Sequence, residues 1–278
     1  EANKQTITGY PLATKIVSSD AATSVKITAA DSTGSDDTLT LETQLVANDR
    51  TNTVEAAGIE TLAITVTDST AAGDDTATYA LTKFEGTTVT ATQKSTSSDN
   101  VIVALGTLHK NVTTVDMSGV KVAHSASLAN ATSAATIKLG GGGVATVTGS
   151  AYGDTFTIGK TGAIVHAITG GDGTDSLTVT ADTGFADPSG INVENVTVDV
   201  VPGNVDLVIA NTKNFHSTAT AITLTGGNSL SSFSNVTDGE ELLAGVKTFD
   251  ASTFGGDLSV AIADDSFDDT VTITGGAS

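Results

Sequence analysis

The chain has 278 residues, which is long enough for one large domain or two smaller ones. Its 32 acidic and 12 basic residues give a formal charge of −20, and Arg50 is the only arginine. This charge argues against nucleic acid as a partner, because phosphate binding needs clustered Lys and Arg. No apolar run is long enough for a membrane helix, so we expect no transmembrane segment. Without cysteine, extra support must come from metal ions or from stacked repeats.

Short segments in which apolar and polar residues alternate recur along the whole chain, and they predict β-strands. Gly, Asp and Asn separate them, and helix signals are nearly absent. The predicted strands lie at residues 24–29, 38–42, 62–67, 87–92, 101–103, 112–116, 135–139, 144–147, 164–168, 177–180, 193–201, 205–209, 221–225, 246–250, 258–262 and 270–274. Many short strands separated by turns are typical of an all-β solenoid, sandwich or barrel.

Internal repetition favours the solenoid. An aspartate two residues before an apolar residue leads into a strand at five places: Asp37, Asp75, Asp154, Asp175 and Asp269. A second pattern, glycine followed by spaced apolar residues, occurs at 58–62, 190–196 and 245–249. The spacing of these patterns is uneven, as in repeats that carry loop insertions.

We therefore predict a right-handed parallel β-solenoid with irregular rungs, and tandem β-sandwich domains are the alternative. Residues 1–278 are expected to form a single elongated unit, with weak signs of a junction near 94–100 or 140–143. The chain begins with Glu1 and shows no signal peptide, so we expect it to be a piece of a larger protein.

One stretch carries a sharper motif. Residues 170–178 match the pattern G-G-x-G-x-D-x-U-x, where U is a large apolar residue, at every fixed position, and residues 149–157 match it loosely. This pattern is typical of parallel solenoids that bind Ca²⁺. The glycines allow turns that point carbonyl oxygens inward, and the aspartates supply carboxylates to a cation that prefers six to eight oxygen ligands.

The predicted calcium ligands are Asp154, Gly170, Gly171, Asp172, Gly173 and Asp175. A second tier rests on register alone and contains Asp37, Asp75 and Asp269. Asp154 and Asp175 are 21 residues apart, whereas strict nonapeptide arrays return to the same side every 18 residues, so we expect an irregular site. The competing interpretation is a solvated Gly-Asp turn between strands.

The nonapeptide turn, the Thr/Ala/Gly-rich strands, the Gly58-Ile-Glu-Thr-Leu62 segment and the acidity together resemble bacterial S-layer proteins of the RTX type. The resemblance implies an extracellular protein that folds in external calcium and tiles the cell surface as a lattice of its own copies. Only Asp175 with its glycines matches the family motif in full. The family's anchoring domain has no counterpart here, so a cell-surface glycan would be bound through a part outside this chain.

Other classes of function have less support. A calcium-dependent adhesin or surface filament shares the composition, but near-identical tandem modules are absent. A polysaccharide-acting β-helix enzyme is less favoured, because one arginine and no tryptophan make a sugar cleft hard to build. We expect no enzymatic activity, since known catalytic motifs are lacking. The four histidines, His109, His124, His166 and His216, lie too far apart in sequence for a metal-binding pattern.

Overall fold

A computed structural model describes residues 3–10, 15–18, 22–29, 34–45, 49–68, 75–94, 101–161, 166–181, 190–201, 208–209, 219–226, 231–233, 247–255, 258–260 and 272–275. These residues form β-strands, turns and connecting segments, and no helix is found among them that is long and apolar enough to cross a membrane.

The strands are numbered β1 to β24 in chain order and form three parallel sheets. The twelve-stranded sheet contains β2 (Lys15–Ser18), β4 (Thr38–Leu45), β6 (Thr61–Asp68), β8 (Thr88–Gln93), β10 (Thr114–Gly119), β12 (Thr136–Leu139), β14 (Thr155–Thr161), β16 (Ser176–Ala181), β18 (Asn195–Val200), β20 (Ala221–Gly226), β22 (Thr248–Asp250) and β24 (Thr272–Thr274). The nine-stranded sheet contains β1 (Asn3–Tyr10), β3 (Ala22–Ala29), β5 (Arg50–Ala57), β7 (Thr76–Phe84), β9 (Ile102–Thr107), β11 (Ala123–Ser127), β13 (Ala145–Thr148), β15 (Ala167–Thr169) and β17 (Ile191–Asn192). The three-stranded sheet contains β19 (Val208–Ile209), β21 (Ser231–Phe233) and β23 (Leu258–Val260).

The chain alternates between the twelve-stranded sheet and one of the other two sheets, and within each sheet a strand pairs with the strand two places later in sequence. All of the described strand pairs are parallel, whereas β-sandwiches are built from antiparallel strands. The predicted parallel β-solenoid is therefore confirmed. The twelve-stranded sheet continues on both sides of residues 94–100 and of residues 140–143, because β8 pairs with β10 and β12 pairs with β14.

One complete turn of the solenoid, from a strand to the next strand of the same sheet, is called a rung. The core is built from inward-facing side chains that stack in register from rung to rung. In β4 every second residue is buried, and the residues between them are threonine, glutamate and glutamine. One buried column consists of Leu39, Leu62, Val89, Val115, Ile137, Phe156, Leu177, Val196, Ile222 and Phe249. Full burial of an aliphatic or aromatic side chain stabilises the fold by roughly 1.5–3 kcal/mol, so this stacking is the main source of stability.

The rungs differ in length, as the uneven sequence spacing predicts. Thr136 pairs with Thr155, and Thr155 pairs with Ser176, so these two rungs contain 19 and 21 residues. The rung from Thr61 to Thr88 contains 27. The strands keep their register while the turns absorb the difference, and irregular rungs are therefore confirmed.

The sequence analysis missed several strands, mainly in the nine-stranded sheet. In β5 and β11 the inward positions hold Asn52 and His124, which are buried but polar, so the apolar alternation is weak there. Asn52 donates to Thr43 Oγ1 at 3.2 Å, and the Tyr79 hydroxyl donates to the same oxygen at 2.7 Å. Stacking between rungs and buried hydrogen bonds hold these segments in the sheet despite their weak pattern.

Candidate functional site

The calcium motif lies where the chain turns into strands of the twelve-stranded sheet. We call the residue immediately before each strand of this sheet the pre-strand position. Asp154 occupies it before β14, Asp175 before β16 and Glu194 before β18. Asp154 and Asp175 are fully buried. Because β14, β16 and β18 are neighbours in the sheet, the three carboxylates occupy successive rungs.

Each of these carboxylates accepts a hydrogen bond from the pre-strand backbone of the preceding rung. The Ala135 N–H donates to Asp154 Oδ1 at 2.6 Å, the Asp154 N–H to Asp175 Oδ1 at 2.7 Å, and the Asp175 N–H to Glu194 Oε2 at 2.8 Å. We call Asp154, Asp175 and Glu194 the acid ladder. Charge-assisted bonds of this kind are stronger than neutral ones, so the acid ladder joins four consecutive rungs.

Backbone hydrogen bonds join the same rungs next to the acid ladder. The Thr155 N–H donates to the Ala135 carbonyl, the Ser176 N–H to the Asp154 carbonyl, and the Asn195 N–H to the Asp175 carbonyl. Each of the pre-strand residues Ala135, Asp154 and Asp175 therefore makes two hydrogen bonds to the next rung. Its carbonyl accepts from a backbone N–H of that rung, and its N–H donates to the carboxylate of that rung. The side chains complete the pairing of backbone groups where the strand begins.

The Asp154 carboxylate accepts three hydrogen bonds. Besides the Ala135 N–H, its carboxylate accepts hydrogen bonds from the Ser150 hydroxyl, at 3.0 Å, and from the Ser150 N–H. Three donors converge on one carboxylate, which is an arrangement suited to an anion. Calcium binding by Asp154 stays a prediction of the sequence motif.

Asp175 differs from Asp154 at its second oxygen. Asp175 Oδ2 is buried without a hydrogen-bond partner. The residue that corresponds to Ser150 in this rung is Gly171, whose φ of 112° belongs to the left-handed region. Burial raises the pKa of Asp175, the Asp154 N–H acts against this, and the nearby Glu194 and Asp154 carboxylates raise it further. Asp175 Oδ2 thus retains the capacity to bind a proton or a cation.

The glycines of the motif allow the carboxylates to approach the backbone. A Cβ on Gly149 would overlap Asp154 Oδ2 and the Gly170 carbonyl, and a Cβ on Gly170 would overlap Asp175 Oδ2. Gly149 and Gly170 each lie five residues before their aspartate. The two turns therefore have the same arrangement, in which the aspartate carboxylate occupies the space that a side chain on the glycine would fill.

The other predicted ligands are distributed differently. Asp172, Gly171 and Gly173 are exposed, and Gly170 is buried. Asp37 occupies the pre-strand position of β4, and its N–H donates to Glu60 Oε2 at 2.9 Å. Asp75 precedes β7 and so belongs to the other sheet, although it shares the same sequence pattern. Asp269 lies outside the described residues.

The sequence analysis missed Glu60 and Glu194 as partners of the aspartates. Both glutamates lie in the glycine-led pattern that also marks a rung, at 58–62 and 190–196. Each precedes a strand of the twelve-stranded sheet and accepts an N–H from the preceding rung. A glutamate immediately before the strand of such a rung is the signal that could have identified them.

The prediction of calcium binding depends on how the acidic side chains are arranged among the described residues. Across those residues, no group of three or more His, Cys, Asp or Glu side chains is arranged to hold a metal ion. Calcium takes six to eight oxygen ligands, and the candidate that this geometry favours is the unpartnered Asp175 Oδ2 with the exposed turn around Asp172. Calcium binding stays a prediction of the sequence motif.

Two of the four histidines are buried in the core near this region. The His124 Nδ1–H donates to the Val122 carbonyl at 2.8 Å, so neutral His124 carries its proton on Nδ1. His166 Nδ1 accepts from the Ala145 N–H at 3.2 Å. Burial lowers the pKa of both histidines, and the nearby His124 adds to the effect at His166, whose pKa falls to about 4.

Comparison of the chain with protein-family models, with curated proteins and with solved structures found no match.

Proposed function

We propose that this chain is a structural cell-surface protein that assembles with copies of itself, in the manner of an S-layer of the RTX type. The observation that carries the proposal is the use of the acid ladder. Its carboxylates bond neighbouring rungs of one continuous parallel sheet, so the most distinctive acidic groups of the chain serve the framework. A protein whose buried carboxylates hold neighbouring rungs together is suited to a role as a scaffold.

The outer surface of the twelve-stranded sheet supports contacts between copies. Within the twelve-stranded sheet, the first residue of every strand from β4 to β24 is uncharged. These first residues stack in register along the sheet. This column contains Thr38, Thr61, Thr88, Thr114, Thr136, Thr155, Ser176, Asn195, Ala221, Thr248 and Thr272. Two chains of charge −20 repel each other, and an uncharged column is a place where copies can meet with little added repulsion.

Calcium enters the proposal as the cation that balances the acidic turns. Asp175, Asp172 and the carbonyl groups of Gly170, Gly171 and Gly173 are the residues that would hold it. Bound there, the ion would supply positive charge and order the exposed turn.

Electron microscopy of the purified chain in calcium and in EDTA tests the proposal. We expect ordered sheets in calcium. Single fibres would instead support the alternative of a surface filament, and dispersed particles in every condition would contradict self-assembly.

A pair of variants tests the contact surface. Thr136→Glu places a charge in the uncharged column, whereas Thr146→Glu places the same charge on an exposed position of the nine-stranded sheet. We expect Thr136→Glu to abolish ordered assembly and Thr146→Glu to retain it. Normal assembly of both variants would exclude this column as the contact.

A further inference from the structure

A cavity away from the acid ladder is lined by neutral and basic residues, although the chain as a whole is strongly acidic. It has a volume of about 350 Å³ and is lined by Thr82, Leu108, His109, Lys110 and Asn130. Its volume is within the range of sites that hold small molecules, which begins at about 300 Å³. Among the residues that the structure describes, no acidic side chain lines it, although the chain has 32.

The polar groups of this cavity are suited to donating hydrogen bonds. The Asn111 N–H donates to His109 Nδ1 at 3.3 Å, so neutral His109 carries its proton on Nε2 and can donate from there. The Lys110 ammonium is a donor only, and the Thr82 hydroxyl and the Asn130 amide can both donate. Leu108, which is buried, also lines the cavity.

The backbone around the cavity is held by contacts between rungs. The Val112 N–H donates to the His109 carbonyl and closes a turn, and the Thr132 N–H donates to the Lys110 carbonyl from the next rung. The Asn111 side chain donates to the Glu85 carbonyl from the rung before. His109 and Lys110 therefore lie on a turn that is held on both sides, which lowers the entropic cost of binding.

Lys110 is a cation without an ion-pair partner among the described side chains, whereas Lys15, Lys26 and Lys83 pair with glutamates. The negative charge of the chain as a whole opposes anion binding, but charges more than about 8 Å away are largely screened at physiological ionic strength. Local donors therefore decide what the cavity accepts.

We propose that the cavity at Thr82, Leu108, His109, Lys110 and Asn130 binds a carboxylate on a small molecule or on the end of an acidic glycan. The carboxylate accepts hydrogen bonds from Lys110, His109 Nε2 and the Asn130 amide. This site is independent of the assembly proposed above, because none of its residues belongs to the uncharged column or to the acid ladder.

Titration of the whole chain with glucuronate tests the proposal, in about 0.15 M salt and with NMR shifts of residues 108–112 and of the Asn130 amide as the readout. We expect a dissociation constant of about 1 mM for glucuronate and no saturable shifts with glucose. Acetate separates the two sources of the carboxylate. Acetate as strong as glucuronate indicates recognition of any small carboxylate, and much weaker acetate indicates an acidic sugar.

Two lysine variants serve as a matched pair. Lys110→Ala removes the cation from the cavity and is expected to weaken glucuronate binding about tenfold, as the loss of one charged hydrogen bond implies. Lys121→Ala removes an exposed lysine that does not line the cavity and is expected to leave binding unchanged. The absence of glucuronate binding, equal binding of glucose, or unaltered binding by a folded Lys110→Ala chain would each overturn the proposal.

Discussion

Asp154 and Asp172 come from the same predicted calcium motif, but the structure gives their side chains different surroundings. Asp154 is buried and accepts three hydrogen bonds, whereas Asp172 is exposed. Asparagine at position 154 has only one acceptor oxygen, so at least one donor loses its partner. We expect Asp154→Asn in EDTA to lower the free energy of unfolding by about 2–3 kcal/mol, measured by urea denaturation.

Asp172→Asn is the matched control, because it changes the same charge in the exposed turn. We expect it to alter stability in EDTA by less than about 0.5 kcal/mol. If both variants are as stable as the parent in EDTA and both lose stability only in calcium, Asp154 is a calcium ligand and its role in the acid ladder is secondary.

His166 predicts a dependence of stability on pH. Its pKa is about 4 in the folded chain and near 6.5 when unfolded, so the unfolded state binds the proton more tightly. The stabilisation from neutral His166 is fully present above pH 6.5 and is lost as the pH falls towards 4. We expect a loss of about 2 kcal/mol over this window once solvent screening is allowed for.

The variant His166→Asn isolates this contribution, because asparagine can accept the Ala145 N–H but does not titrate. Urea denaturation at several pH values between 4 and 7 should show a shallower loss of stability in the variant than in the parent. Parallel curves would mean that other groups cause the acid sensitivity.

At the scale of the turn and its strand, glycine is required where the carboxylate meets the backbone. A methyl group at Gly170 would overlap Asp175 Oδ2, which lies in a fully buried side chain. The nearest atom to a methyl group at Gly159, in β14, is the Leu139 carbonyl oxygen at 3.6 Å, an ordinary contact. We expect Gly170→Ala to destabilise the fold by an overpacking cost of about 1–3 kcal/mol, seen as a lower melting temperature. We expect Gly159→Ala to leave the melting temperature nearly unchanged. Equal melting of the two variants would mean that the turn shifts freely.

Strands with an apolar inward face could be predicted from the sequence, because alternation records which side chains enter the core. In β4 and β6 every second residue is buried, and both strands were predicted. In β11 the inward positions are His124 and Ala126, which give no clear hydrophobic signal. That strand is fixed by pairing with β9 and β13, and such contacts come from residues about twenty positions away.

The candidate site could be predicted only in part for the same reason. The motif located the two buried aspartates, since the Asp-x-apolar spacing marks the start of a strand. It did not reveal that Ala135 donates to Asp154, because the partner in the adjacent rung depends on turn lengths that vary. The motif also grouped Asp75 with Asp175, although these residues lead into strands of different sheets.

At the scale of the whole molecule, the charge of −20 opposes the compact stacking of rungs. Raising sodium chloride from about 0.01 M to about 0.15 M shortens the screening length from about 30 Å to about 8 Å. We therefore expect the melting temperature to rise with salt even in EDTA. This rise measures general screening and supplies the baseline for any specific effect of calcium.

Calcium and magnesium at matched ionic strength separate specific binding from screening. Calcium accepts six to eight oxygen ligands in flexible geometry, whereas magnesium requires a near-octahedral shell and keeps several waters. A site at Asp175 and the exposed turn around Asp172 should therefore raise the melting temperature more in calcium than in magnesium, and the difference should disappear in Asp175→Asn. That variant retains an oxygen to accept the Asp154 N–H, so the inter-rung bond is preserved while the charge is removed. If the two cations act alike on the parent, they neutralise the acidic surface without a dedicated site, and the stacking of rungs rests on the core and the acid ladder alone.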